Sequence, residues 1–133
     1  MGVVLDSSIL IGVEKGHIDL EKKIKGKEEL DFFLSVISAS ELLHGIWRAQ
    51  TAKVQSRRSA FVEEILTHFP IIEIDLNIAR IHAQLWAQLI RKGKLIGSLD
   101  LWIAATCIAY GHTLITLNTK EFKIVPGLKL EKW

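Results

Sequence analysis

At 133 residues, 49% of them hydrophobic and 24% charged, the chain has the make-up of one compact globule with a single core. One cysteine excludes a disulfide framework, and no apolar run reaches the roughly 18 residues that span a bilayer. The start lacks a basic region leading into an apolar one, so a cytoplasmic protein is expected.

A net charge of +2 is too small to argue for nucleic acid by itself, but its distribution is informative. Lys22, Lys23, Lys25, Lys27, Arg48, Lys53, Arg57, Arg58, Arg91, Lys92 and Lys94 fall in loop-like or helix-exterior segments. They read either as a solvated face or as a phosphate-binding rim.

Val3-Val4-Leu5 is a short apolar run of the kind that forms a buried strand, with Asp6 at its end and a second apolar run from Ile9 to Val13. Asp6 stands where ligand sites form in open α/β sheets, and it is equally a favoured cap for the next helix. Residues 16–30 are polar, with weak helical spacing at Ile18, Leu20 and Ile24. Phe32 to Ile37 is a second β-like run. Ser38-x-x-Glu41 then matches a capping box, with Ser38 bonding the backbone at Glu41 and Glu41 reaching back. Leu42, Leu43, Ile46 and Trp47, then Phe61, Val62, Ile65, Leu66 and Phe69, keep helical spacing on either side of a polar stretch. This predicts a helical hairpin at about 39–69.

Pro70 ends the hairpin, and Ile71 to Ile74 is a third strand candidate. Asn77 is expected to cap an amphipathic helix whose stripe is Ile78, Ile81, Leu85, Trp86, Leu89 and Ile90. Ser98 is expected to cap the next helix, which is apolar nearly all round and therefore internal, with Cys107 a buried thiol. Gly111 suits the position just past its end, and Thr113 to Leu117 reads as a fourth strand. Pro126-Gly127 is a turn, and Leu128 to Leu130 an edge strand.

Strands and helices alternate without a repeat or a linker. The fold class is therefore α/β: a single domain over 1–133, a three-layer α/β/α sandwich around a mostly parallel sheet of four to five strands. In such a sheet the loops after the strands gather on one edge. Asp6, Glu41, Asp100 and Glu121, with Asn118 beside them, would then converge although they are far apart in sequence.

Gathered carboxylates repel one another, so they either hold protons or take a cation. A hard divalent ion with oxygen ligands is the natural partner: Mg²⁺ is held by one or two carboxylates, keeps waters and meets phosphate oxygens. The chemistry suggested is phosphodiester hydrolysis, with basic residues around the pit holding the flanking phosphates of a strand. Nucleotide cradles are unsupported, since neither GxxxxGK[ST] nor GxGxxG occurs. The five histidines show no zinc spacing, and Glu41-x-x-His44 is only half of a di-iron signature.

These residues resemble the PIN domain, and within it the VapC toxins of type II toxin–antitoxin modules. The likeness rests on Val3-Val4-Leu5-Asp6-Ser7-Ser8, Ser38-x-x-Glu41-Leu-Leu-x-Gly45, Asp100-x-x-Ile103-Ala104-Ala105 and Leu114-Ile115-Thr116-x-Asn118-x-x-Glu121-Phe122, in that order along essentially the whole chain. The resemblance implies an endoribonuclease dependent on Mg²⁺ or Mn²⁺. Asp6 and Asp100 match the family's principal metal ligands, and Glu41 its third acid, bound directly or through water. Thr116 matches a hydroxyl that supports an acidic partner. The fourth acid's usual place is taken by Asn118, with Glu121 one turn later, and Ser8 replaces an Asn common in the family. A homodimer, and a cognate antitoxin on a separate chain that wraps the helical hairpin, are implied as partners. Two alternatives stay open: a catalytically degenerate PIN-like module that binds RNA or protein, and an unrelated metal hydrolase of small phosphoesters.

Overall fold

In the computed structural model, which describes residues 2–133, five strands form one sheet in the order β3-β2-β1-β4-β5. The strands are β1 (Gly2–Leu5), β2 (Asp31–Ser35), β3 (Ile71–Ile72), β4 (Thr113–Thr116) and β5 (Lys129–Lys132). Every pairing is parallel. Parallel neighbours need crossovers, and helices supply them: α1 (Ser7–Glu14), α2 (Leu20–Ile24), α3 (Val36–Trp47), α4 (Ala52–His68), α5 (Leu76–Arg91), α6 (Ser98–Tyr110) and α7 (Thr119–Phe122).

Side-chain alternation along β1 sorts the core into two layers. Val4 faces the cluster built from α5, α6 and α7, with Ile78, Leu89, Ile103 and Phe122. Val3 and Leu5 face the opposite cluster, with Ile9, Leu42, Val62 and Ile65 of α1, α3 and α4. The expected α/β/α sandwich is present, and its sheet is wholly parallel among the described residues. No described helix is long and apolar enough to cross a membrane.

Helix ends are where the structure departs from the sequence reading. α3 is capped three residues before the expected capping box: Ser35 is its N-cap, accepting from the Ile37 N–H at 3.0 Å. Ser38 is therefore inside the helix, fully buried, and its hydroxyl has no partner among the described residues. The hairpin spans α3 and α4, and most of the polar stretch between its apolar halves is itself helical. Asp75, not Asn77, caps α5: its carboxylate accepts from the Ile78 N–H at 2.8 Å and also takes the Tyr110 hydroxyl. The α5 stripe is broader than its contact, leaving Trp86 56% and Ile90 61% exposed.

α6 is capped by the residue before Ser98: Gly97 holds the N-cap position with no side-chain bond. Gly111, at φ 69°, ends α6 as expected. The His112 N–H reaches the Cys107 carbonyl at 2.9 Å and the Gly111 N–H reaches the Ile108 carbonyl at 3.3 Å, a Schellman closure that requires a left-handed residue. The third strand stops at Ile72, and the edge strand runs Lys129–Lys132.

Candidate active site

The chain crosses from one half of the sheet to the other between β1 and β4, since β2 and β3 extend to one side and β4 and β5 to the other. At such a switch point the loops leaving the two central strands diverge and open a cleft. Asp6 leaves β1 at this point, and Thr116 ends β4 beside it.

Asp6 is 3% exposed and sits in the N-cap position of α1, yet its side chain makes no capping bond. Its Oδ2 instead accepts from the hydroxyls of Thr116 and Ser8, each at 2.8 Å. Each hydroxyl carries one proton, so with both spent on Asp6 the 3.3 Å approach between Ser8 and Thr116 is a contact only. The remaining lone pairs tie the loop after β4: the Leu117 N–H donates to Ser8 Oγ at 3.1 Å and the Asn118 N–H to Thr116 Oγ1 at 3.0 Å. One oxygen of Asp6 is thus clamped, and Oδ1 has no protein donor among the described residues.

Glu41 reaches the cluster from α3, one turn beyond Ser38, and its Oε1 accepts from the Ser7 hydroxyl at 3.2 Å. It does not close a capping box; that role is lost because the helix starts earlier. Burial, and then the neighbouring charge of Asp6, raise its pKa above the carboxylate norm, with Asp100 adding to the effect against the Ser7 bond. Asp100, in the first turn of α6, is raised to about 6 by burial first and then by Asp6 and Glu121. Burial places Cys107 of the same helix out of reach as a nucleophile, its thiol pushed up to about 12.

Glu41 therefore feels Asp6 and Asp100, and Asp100 feels Asp6 and Glu121. None of them forms an ion pair among the described residues; the two pairs present, Lys27–Glu131 and Arg58–Glu14, lie elsewhere. Glu121 bears on Asp100, whereas the Asn118 side chain is exposed and makes no hydrogen bond. His44 is exposed on α3 and outside the cluster. Ser7 escaped the sequence reading, and only its place beside Asp6 could have marked it.

No three His, Cys, Asp or Glu side chains among the described residues close to the spacing of a ready-made metal cage. The donors are all hard oxygens, and they stand apart. Carboxylate oxygens are the hard donors that an ion such as Mg²⁺ takes.

The chain matches the PIN domain over residues 3–128. It is 32% identical to "Ribonuclease VapC" of Rickettsia bellii across 98% of this chain and 95% of that protein. It is 31% identical to "tRNA(fMet)-specific endonuclease VapC" of Shigella flexneri across 73% and 74% of the two chains. Among solved structures, VapBC2 from Rickettsia felis bound to a promoter DNA fragment superposes with a TM-score of 0.88 at 30% identity, covering 100% of this chain and 99% of that one. The chain belongs to the PIN-domain family and, within it, to the VapC group.

Proposed function

We propose that this protein is a divalent-metal-dependent endoribonuclease and the toxin of a type II toxin–antitoxin pair. The observation that carries the reading is the mutual influence of Asp6, Glu41 and Asp100 at the sheet's switch point, with Glu121 bearing on Asp100, where none of the four forms an ion pair among the described residues. Such an arrangement is unfavourable in a protein that leaves it unused.

Asp6 and Asp100 would hold Mg²⁺ or Mn²⁺, with Glu41 joining them directly or through a water. Glu121 is the fourth acid in this reading, with Asn118 the weaker candidate. The chemistry that such an ion would supply there is activation of water and relief of charge on the phosphate under attack. Thr116 and Ser8 fix one oxygen of Asp6 so that the other faces the cleft. Ser7 holds Glu41 in place, and its carboxylate, raised above the ordinary range by burial and by Asp6, would help orient the attacking water. An antitoxin on a separate chain and a homodimer complete the partners, and the cytoplasm is the site of action.

The test is incubation of purified, antitoxin-free protein with total cellular RNA, including transfer RNA, in Mg²⁺, Mn²⁺ or EDTA. Discrete fragments ending in 5′-phosphate and 3′-hydroxyl, absent in EDTA, are expected of metal-activated water. Cleavage in EDTA with 2′,3′-cyclic ends would contradict the mechanism, and intact RNA in every arm would favour the non-cutting binding module.

A further inference from the structure

The carboxylates lie between two unlike recesses. On the Glu41 side, a cavity of about 290 Å³ is walled by Glu14, Lys15, Glu41, Arg48 and Arg58, where the ends of α1 and α3 meet α4. On the Asp100 side, a wider recess of about 710 Å³ is walled by Leu95, Ile96, Asp100, Lys120, Glu121 and Ile124. The first sets three cations against two carboxylates and the second sets one against two.

Arg58 is already committed. Its Nε donates to Glu14 at 3.3 Å and its Nη1 to the Gly45 carbonyl at 2.7 Å, so it braces α1, α3 and α4 together and neutralises Glu14. Lys15 and Arg48 form no ion pair among the described residues, and both are exposed at the cavity's edge. Glu41 is the shared wall between this cavity and the acid cluster.

We infer that the Lys15–Arg48 cavity is a phosphate subsite: it takes the phosphate next to the scissile one, so the RNA strand crosses the carboxylates asymmetrically. This rests on the ribonuclease reading. A phosphate beside the scissile group would be repelled from the Asp100 recess, where two acids outnumber one lysine, and attracted to the Glu41 recess, where two cations have no other partner. The Asp100 recess, with Leu95 and Ile96 on its wall, suits the uncharged parts of the strand. The competing view is that Lys15 and Arg48 merely face the negative ends of their own helices in solvent.

Binding of a fluorescent single-stranded oligoribonucleotide in EDTA, measured over a range of salt, separates the two. Lys15→Ala and Arg48→Ala should each reduce the slope of log affinity against log salt by about 0.7, the value for one phosphate contact on a single strand. Lys120→Ala, on the opposite flank, should leave the slope unchanged. An unaltered slope in the Lys15→Ala/Arg48→Ala double variant, or a larger effect from Lys120→Ala, would overturn the subsite. Because the assay needs no cleavage, a protein that binds with this pattern but never cuts RNA would remove the ribonuclease reading and leave the subsite standing.

Discussion

Thr116 shows how much one hydroxyl can carry. It donates to Asp6 and accepts from the Asn118 N–H, so it fixes both an acid and the loop that leaves β4. Thr116→Val keeps the shape and removes both bonds. We expect a loss of about 1–3 kcal/mol in urea unfolding, because a buried carboxylate and a backbone N–H lose partners. We also expect cleavage slower by about 10–100-fold, the usual effect of losing a group that orients a ligand. Ser38 is the converse case. Its buried hydroxyl satisfies nothing, so Ser38→Ala should leave stability unchanged or raise it by up to about 1 kcal/mol in the same assay. A clear destabilisation would mean that Ser38 has a partner. The gathering of the acids on one sheet edge was legible from residue type and position, whereas the bond from Thr116 to Asp6 was an expectation that only the family resemblance supplied. Ser7 was not, because its bond to Glu41 spans two helices 34 positions apart.

Helices and strands were legible wherever hydrophobic period decided the outcome, and least so at their ends. Asp75 and Asn77 are both good capping residues, and only backbone geometry shows that Asp75 holds the cap. Asp75→Ala should therefore lower the melting temperature, while Asn77→Ala should be close to neutral. Equal losses in thermal unfolding would contradict the assignment. Likewise, Ser35 and Ser38 compete as starts for α3. The earlier one wins because Ser35 ends β2 in extended conformation, already paired through Ile72, and turns directly into the helix. That shift of one turn removes the capping-box role from Glu41 and leaves its carboxylate free to face Asp6. The exposed Trp86 and Ile90 mark a limit of the same kind: a helical stripe says which residues are apolar, not how many of them the neighbour covers.

At the scale of the whole molecule, the fold concentrates like charge at its own switch point, so function and stability oppose each other. Asp100 is held at about 6 against its ordinary 3.8. Its folded pKa is raised, so its favourable contribution is complete below about pH 4 and is lost as pH rises through about 6. In EDTA, the melting temperature should thus fall over that window, with Glu41 acting in the same direction. Asp100→Asn should flatten this dependence and melt higher than the parent at neutral pH. A parent profile that rises from pH 4 to pH 6 would remove the repulsive cluster from the account.

The measurement that bears most directly on the central claim is the cleavage rate of one end-labelled RNA in Mn²⁺ by the parent and by Asp100→Asn, with thermal unfolding run on both. A rate loss beyond about 100-fold, larger than that of an orienting residue, is expected in a protein that is as stable as the parent or more so. Cleavage by Asp100→Asn within tenfold of the parent would show that the acid cluster is not where the RNA is cut.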